Sequence, residues 1–204
     1  SFRISFVDIA GNSGVDVTIG KPLPAIVTID TTAPTLTAVS IASSNSADLR
    51  KANVGDTITV SLTASEAIAA PTVLIAGQNA TVAAAGALNY TASYVVAASE
   101  VSDGVPASLS ISFADLAGNA GAEVTLVKDG SSVTIDLTAP TLTAVAIRSD
   151  NTALPMYTLA KAGDVVTVSF VADEDITGVT ARIAGSPAVV QAATGGSLRE
   201  YSAT

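Results

Sequence analysis

The chain repeats itself, and no other feature narrows its possible folds as much. Ser5-Phe6-Val7-Asp8-Ile9-Ala10-Gly11-Asn12 returns 107 residues later as Ser112-Phe113-Ala114-Asp115-Leu116-Ala117-Gly118-Asn119. Ile29-Asp30-Thr31-Thr32-Ala33-Pro34-Thr35-Leu36-Thr37-Ala38-Val39 returns 106 later as Ile135-Asp136-Leu137-Thr138-Ala139-Pro140-Thr141-Leu142-Thr143-Ala144-Val145. Gly55-Asp56 matches Gly163-Asp164 and Ile75-Ala76-Gly77 matches Ile183-Ala184-Gly185, both at 108, so short insertions fall between the blocks, where loops accept them. Self-similarity at a fixed spacing marks a tandem array, here with a unit of about 106 residues. One copy is complete, over 31–136; residues 1–30 read as the C-terminal strands (F and G) of an earlier copy, and 137–204 as the N-terminal strands (A to E) of a later one. Jointly the two partial copies lack only the counterpart of residues 94–107. The expectation is a window from a longer array; the alternative is that neighbouring molecules complete the ends by exchanging strands.

Inside the complete copy the apolar pattern has period 2. Ile58, Val60 and Leu62 alternate with Thr57, Thr59, Ser61 and Thr63, and Leu109, Ile111 and Phe113 alternate with serines. Alternation of this kind gives each strand one buried and one wet face. Turn signals separate the segments: Pro71, Gly77-Gln78-Asn79, Asp103-Gly104, Gly118-Asn119 and Lys128-Asp129-Gly130. Seven strands are expected, A 34–43, B 56–65, C 71–77, C′ 79–84, E 89–97, F 107–114 and G 122–135, the last interrupted near Asp129-Gly130. The fold class is thus all-β, as tandem immunoglobulin-like β-sandwiches of seven antiparallel strands each. The chain has no Cys, His or Trp, so disulfides, Cys/His zinc sites and a Ser/His/Asp triad supplied by this chain are excluded, and the core must rest on aliphatics with Phe113, Tyr90 and Tyr94.

The Asp-x-Ala-Gly-Asn loop, the Ile-Asp-Thr-Thr-Ala-Pro-Thr-Leu-Thr linker from Ile29 and the stretch Gly55-Asp56-Thr57-Ile58-Thr59-Val60-Ser61-Leu62-Thr63-Ala64-Ser65-Glu66 together resemble the bacterial Ig-like tandem repeats of large cell-surface adhesins. The resemblance covers the entire chain. It implies export, tandem arrays and, in several relatives, calcium at domain junctions; similar repeats also serve as spacers in secreted polysaccharide-degrading enzymes. The expected role is a structural, non-catalytic segment of an extracellular adhesin or surface fibre, acting as a stiff spacer at the cell surface. Its partners would be neighbouring Ig-like repeats of the same or adjacent chains, with any host or surface ligand bound elsewhere in the full protein. The alternatives are an accessory or ligand-binding module of a secreted polysaccharide-degrading enzyme, or a filament subunit assembled by strand complementation.

Charge points the same way. Nine Lys+Arg against eighteen Asp+Glu give −9, which disfavours nucleic acid and anionic membranes and favours cations as partners. No apolar run approaches the length of a membrane span. The acids crowd the strand ends. In a sandwich of this kind the incoming linker, the BC loop and the FG loop share one pole, which would gather Asp30, Glu66, Asp115 and Asn119. Asp136 and Glu174 are the counterparts of Asp30 and Glu66 in the next copy, and Asp8 and Asn12 are those of Asp115 and Asn119 in the previous one. No Lys or Arg occupies the positions of Asp30, Glu66 and Asp115 or their counterparts Asp136, Glu174 and Asp8, and the other pole carries Asp48, Glu100 and Asp103. Oxygen-only donors on loop ends suit Ca2+, which takes six to eight oxygens in flexible geometry, so a structural calcium ion held by these residues is the expected cofactor. Turn chemistry alone also places Asp and Asn at such positions.

Overall fold

The structure is a computed structural model that describes residues 3–18, 27–99, 102–152, 159–192 and 200–204. Among the described residues it is all-β, with no helix and so none long and apolar enough to cross a membrane. The strands are β1 Leu36–Ser43, β2 Lys51–Ala52, β3 Thr57–Ala64, β4 Thr72–Ile75, β5 Gln78–Asn79, β6 Thr81–Ala84, β7 Asn89–Val95, β8 Leu109–Ser112, β9 Thr134–Ile135, β10 Leu142–Ser149, β11 Val166–Ala172, β12 Ala181–Ile183, β13 Ser186–Ala188, β14 Val190–Ala192 and β15 Glu200–Ala203. The chain divides into two compact units. One comprises Ser1–Ala42, Thr59–Tyr94 and Ser108–Ser131; the other comprises Ser43–Ile58, Val95–Ala107 and Ser132–Thr204.

The first unit holds most of a four-stranded sheet ordered β1-β3-β7-β6 and a three-stranded sheet ordered β5-β4-β8, an arrangement consistent with a β-sandwich. Burial follows the alternation: Val60, Leu62 and Ala64 of β3, Val73 and Ile75 of β4, and Leu109 and Ile111 of β8 are buried, while Thr72, Ser61 and Ser112 are exposed. Tyr90 of β7 is buried, and its hydroxyl donates to the Ile68 carbonyl at 2.9 Å, which satisfies its one polar atom. A strand pair so patterned folds because one register alone puts every apolar side chain on the same face.

Four expectations are corrected. The seven-strand reading makes every pairing antiparallel, whereas β2, which it lacks, pairs in parallel with β9, Lys51 beside Thr134 and Ala52 beside Ile135. Strand G is not one strand. Val124 bridges Ile111, then Lys128 crosses to β1, its N–H donating to the Val39 carbonyl at 2.8 Å and its ammonium to the Leu36 carbonyl, and only 134–135 re-forms a ladder. The hairpin turn after β4 is Ala76-Gly77 rather than Gly77-Gln78-Asn79, since Ile75 pairs with Gln78 and the two turn residues have φ of 53° and 78°. Positive φ at both central residues is the signature of a type I′ turn, which matches strand twist, and Ala184-Gly185 repeats it at 50° and 81°. Finally, C′ is two strands, β5 and β6, with Ala80 between them.

The second unit holds the β2–β9 pair, a four-stranded sheet ordered β10-β11-β15-β14 and the hairpin β12–β13. In β10 the register slips between Leu142 and Ala144, a bulge at the place where burial in β1 skips from Leu36 to Val39.

Candidate metal centre

Asp30 lies in the linker before β1, Glu66 follows β3, and Asp115 follows β8. One carboxylate oxygen from each comes within 4.8 Å of the others, with Asp115 buried, Glu66 half-buried and Asp30 exposed. Among the described residues, no ion pair involves any of the three.

The Asp115 position is built by its own loop. Gly118 at φ 96° lets the chain turn back, and Asn119 then donates its backbone N–H to Asp115 Oδ1 at 2.8 Å and its side-chain Nδ2 to Oδ2 at 2.7 Å. The same Nδ2 reaches the Asp30 carbonyl at 3.2 Å, fastening the linker to the loop. Asn119 therefore meets the acids through N–H donors and holds the linker and loop in place, a positioning role. Burial pushes the Asp115 carboxyl up, but the bonds from Asn119, Gly118 and Ala117 outweigh it and leave the group below the usual carboxylate range, ionised at neutral pH.

One repeat earlier the loop is duplicated: Asn12 gives Asp8 its backbone N–H and its Nδ2, each at 2.8 Å, with Gly11 at φ 90°. The side-chain and then the backbone bond from Asn12 hold the Asp8 carboxyl below its usual value. Asp8 and Asn12 thus pair with each other and belong to no carboxylate trio among the described residues.

In the second unit the counter-charge is a lysine, which the sequence reading did not anticipate: Lys51 Nζ sits 3.1 Å from Asp136 Oδ2. Lys51 comes into place through the short β2–β9 pair, for which no local pattern gives a signal. Asp136, Lys51, Glu174 and Asp175 share an open recess of about 310 Å³. Asp103 does something else again. It accepts the Leu137 N–H at 2.7 Å and the Thr138 hydroxyl at 2.8 Å, and these bonds, the Leu137 N–H first, hold its carboxyl below the usual range. Asp48 accepts the Arg50 N–H at 2.9 Å, while Glu100 lies outside the described residues.

Other acceptors recur copy by copy. Asn45 donates to Asp56 Oδ2 at 3.1 Å and its own N–H to Ser43 Oγ, and Asn151 does the same to Asp164 at 2.9 Å and to Ser149. Two hydroxyls are exchanged for carboxylates. Ser44 Oγ accepts the Thr57 N–H where Asp150 accepts that of Val165, and Ser65 Oγ accepts the Thr35 N–H where Asp173 accepts that of Thr141.

Comparison with protein-family models, with curated proteins and with solved structures finds no match.

Proposed function

We propose that the chain is a structural, non-catalytic segment of a tandem array of Ig-like repeats, a stiff extracellular spacer of a bacterial adhesin or surface fibre. One observation carries this reading: the linker 136–138 is tied at every residue. The Asp136 N–H donates to the Ala52 carbonyl at 2.9 Å, its carboxylate pairs with Lys51, and Leu137 and Thr138 both donate to Asp103. The Asp136 and Leu137 backbone and the Thr138 hydroxyl are thus all tied to residues of the complete copy, so these three residues cannot reorient without breaking those bonds, and Pro140 fixes φ just beyond them. Asp103→Ala should therefore leave the β content unchanged and give residues 137–138 faster backbone motion in 15N relaxation. Because the folded carboxyl of Asp103 sits below its unfolded value, its contribution is present above the unfolded value and lost as pH falls through the folded one, so acidification should loosen the wild-type linker in the same way. Unchanged relaxation in the variant would remove the support.

Calcium belongs to the same proposal. The donors at Asp30, Glu66 and Asp115 are all carboxylate oxygens converging within 4.8 Å, a set that fits a hard cation. A bound ion would supply the positive charge that three converging carboxylates lack, while Asn119 holds the Asp115 carboxylate and the backbone of Asp30 in place. Calcium at ten times Kd should stabilise the fold by about 1.4 kcal/mol, and magnesium by much less. The comparison is a thermal melt with Ca2+ and with chelator, in wild type and in Glu66→Ala with Asp115→Ala. If wild type gains nothing, or the double variant gains as much, the acids act as turn residues alone.

A further inference from the structure

The larger sheet of the complete copy ends at β6, and the backbone of that strand is open on its outer side. β6 pairs with β7 as Thr81–Ser93, Val82–Ala92, Ala83–Thr91 and Ala84–Tyr90, and the ladder closes where the Ala85 N–H donates to the Asn89 carbonyl at 2.8 Å. Bonded and non-bonded pairs alternate along an antiparallel ladder, so Thr81, Ala83 and Ala85 turn their N–H and C=O toward β7, while Val82 and Ala84 turn theirs away from the sheet. Among the described residues no strand lies beyond β6 and no hydrogen bond reaches those outward groups. The same edge recurs 108 positions on. Val189 and Thr204 exchange backbone bonds at 2.9 and 3.1 Å, β14 is the last strand of its sheet, and the outward residues are Val190 and Ala192. Since β6 lies inside the complete copy, its open edge does not depend on either end of the chain.

Nothing on β6 keeps another strand away. Exposed edges are ordinarily blunted by a charged side chain, a proline or a bulge. Here the register to β7 runs without a slip, no residue from Ala67 to Ser99 is charged, and none from Thr72 to Ser99 is proline. The chain as a whole carries −9, so two copies repel through most of their surface, and this uncharged edge is where they can approach at least cost.

We infer that β6 of one copy of this chain pairs antiparallel with β6 of a second copy across a two-fold axis, joining two four-stranded sheets into one. The axis passes beside Ala83. Val82 of each strand exchanges both main-chain bonds with Ala84 of the other, Ala83 faces Ala83, and Thr81 faces Ala85. This register uses every outward group of β6. A slip of two residues would call on Ala80, whose N–H is already given to the Val73 carbonyl, or on Gly86, whose φ of 153° takes it out of the strand. Non-bonded pairs bring side chains closest, and Ala83 offers only a methyl group there. One edge meets itself, so the contact is isologous and closes at two copies.

Sedimentation velocity of the 204-residue chain carrying Ala192→Pro isolates β6, because proline removes the outward N–H of the second edge and an edge strand tolerates it. A contact of main-chain bonds and small side chains is weak, so concentrations run to about 1 mM. The average mass of this parent should rise toward twice that of the monomer and no further. Adding Ala84→Pro removes an outward donor while sparing the bonds to β7, and should hold the chain monomeric with β content unchanged in circular dichroism. Adding instead Ala83→Lys or Ala83→Glu sets like charges face to face, so each protein alone should stay monomeric, whereas an equal mixture of the two should dimerise more than the parent. A parent that stays monomeric, growth past two copies, association that survives Ala84→Pro, or a mixture no heavier than its components overturns the inference; none of these results bears on the linker ties or on calcium.

Discussion

Ile111→Ala is expected to lower stability by ~2–5 kcal/mol, and Ile4→Ala, the same residue one repeat earlier, by less than about 0.5 kcal/mol. Ile111 is fully buried between Val73 across the ladder and the rest of the core, so truncation removes its transfer free energy and leaves a cavity that close packing cannot heal. Ile4 makes the matching backbone bridge, but its side chain is more than half exposed, and shortening it gives up little contact. Urea unfolding of dilute protein separates the two. Equal losses would mean that the first copy has a core of its own after all.

A second pair exploits a glycine required for space. A Cβ built on Gly121 would lie 2.2 Å from the ring of Phe113, which is buried and has nowhere to move, so Gly121→Val should cost about 3 kcal/mol through overpacking and a displaced ring. A Cβ on Gly14 would meet Phe6 at the same 2.2 Å. Phe6 is half exposed, however, and can swing into solvent, so Gly14→Val should cost well under half as much. Urea midpoints at constant m-value report both. A mild Gly121→Val would show that the ring is not confined.

Strand existence was legible because it depends on a local pattern: β3 alternates without a break, and β10 has the same apolar spacing as β1. Burial was not legible at β10, since it depends on what covers the strand and not on the spacing within it: Leu142, Val145 and Ile147 are exposed although Leu36, Val39 and Ile41 of β1 are buried. Strand G misled for a related reason: apolar spacing does not name the partner, so the crossing of Lys128 to β1 leaves no trace in the segment itself. Ala76 gave no turn signal because alanine seldom takes positive φ. The acids at Asp30, Glu66 and Asp115 could be grouped from topology, because strand order decides which loops share a pole. Lys51 could not, since its approach to Asp136 spans 85 positions and rests on a two-residue parallel pair.

The exchange of Ser44 for Asp150 and of Ser65 for Asp173 makes the chain its own comparison set. Two copies solve one geometric problem with different chemistry: what the backbone N–H demands at those corners is a lone pair within reach, and at the second the carboxylate of Asp173 uses its other oxygen to accept the Thr141 hydroxyl as well. Where instead both residue and bond repeat, as in Asp8–Asn12 and Asp115–Asn119, two oxygens must meet two donors at once, and a hydroxyl has only one oxygen to give. The repeat thus separates, within a single molecule, the corners where the accepting group changes between copies from those where residue and bonds both recur, and it places the carboxylate of Asp115 among the latter.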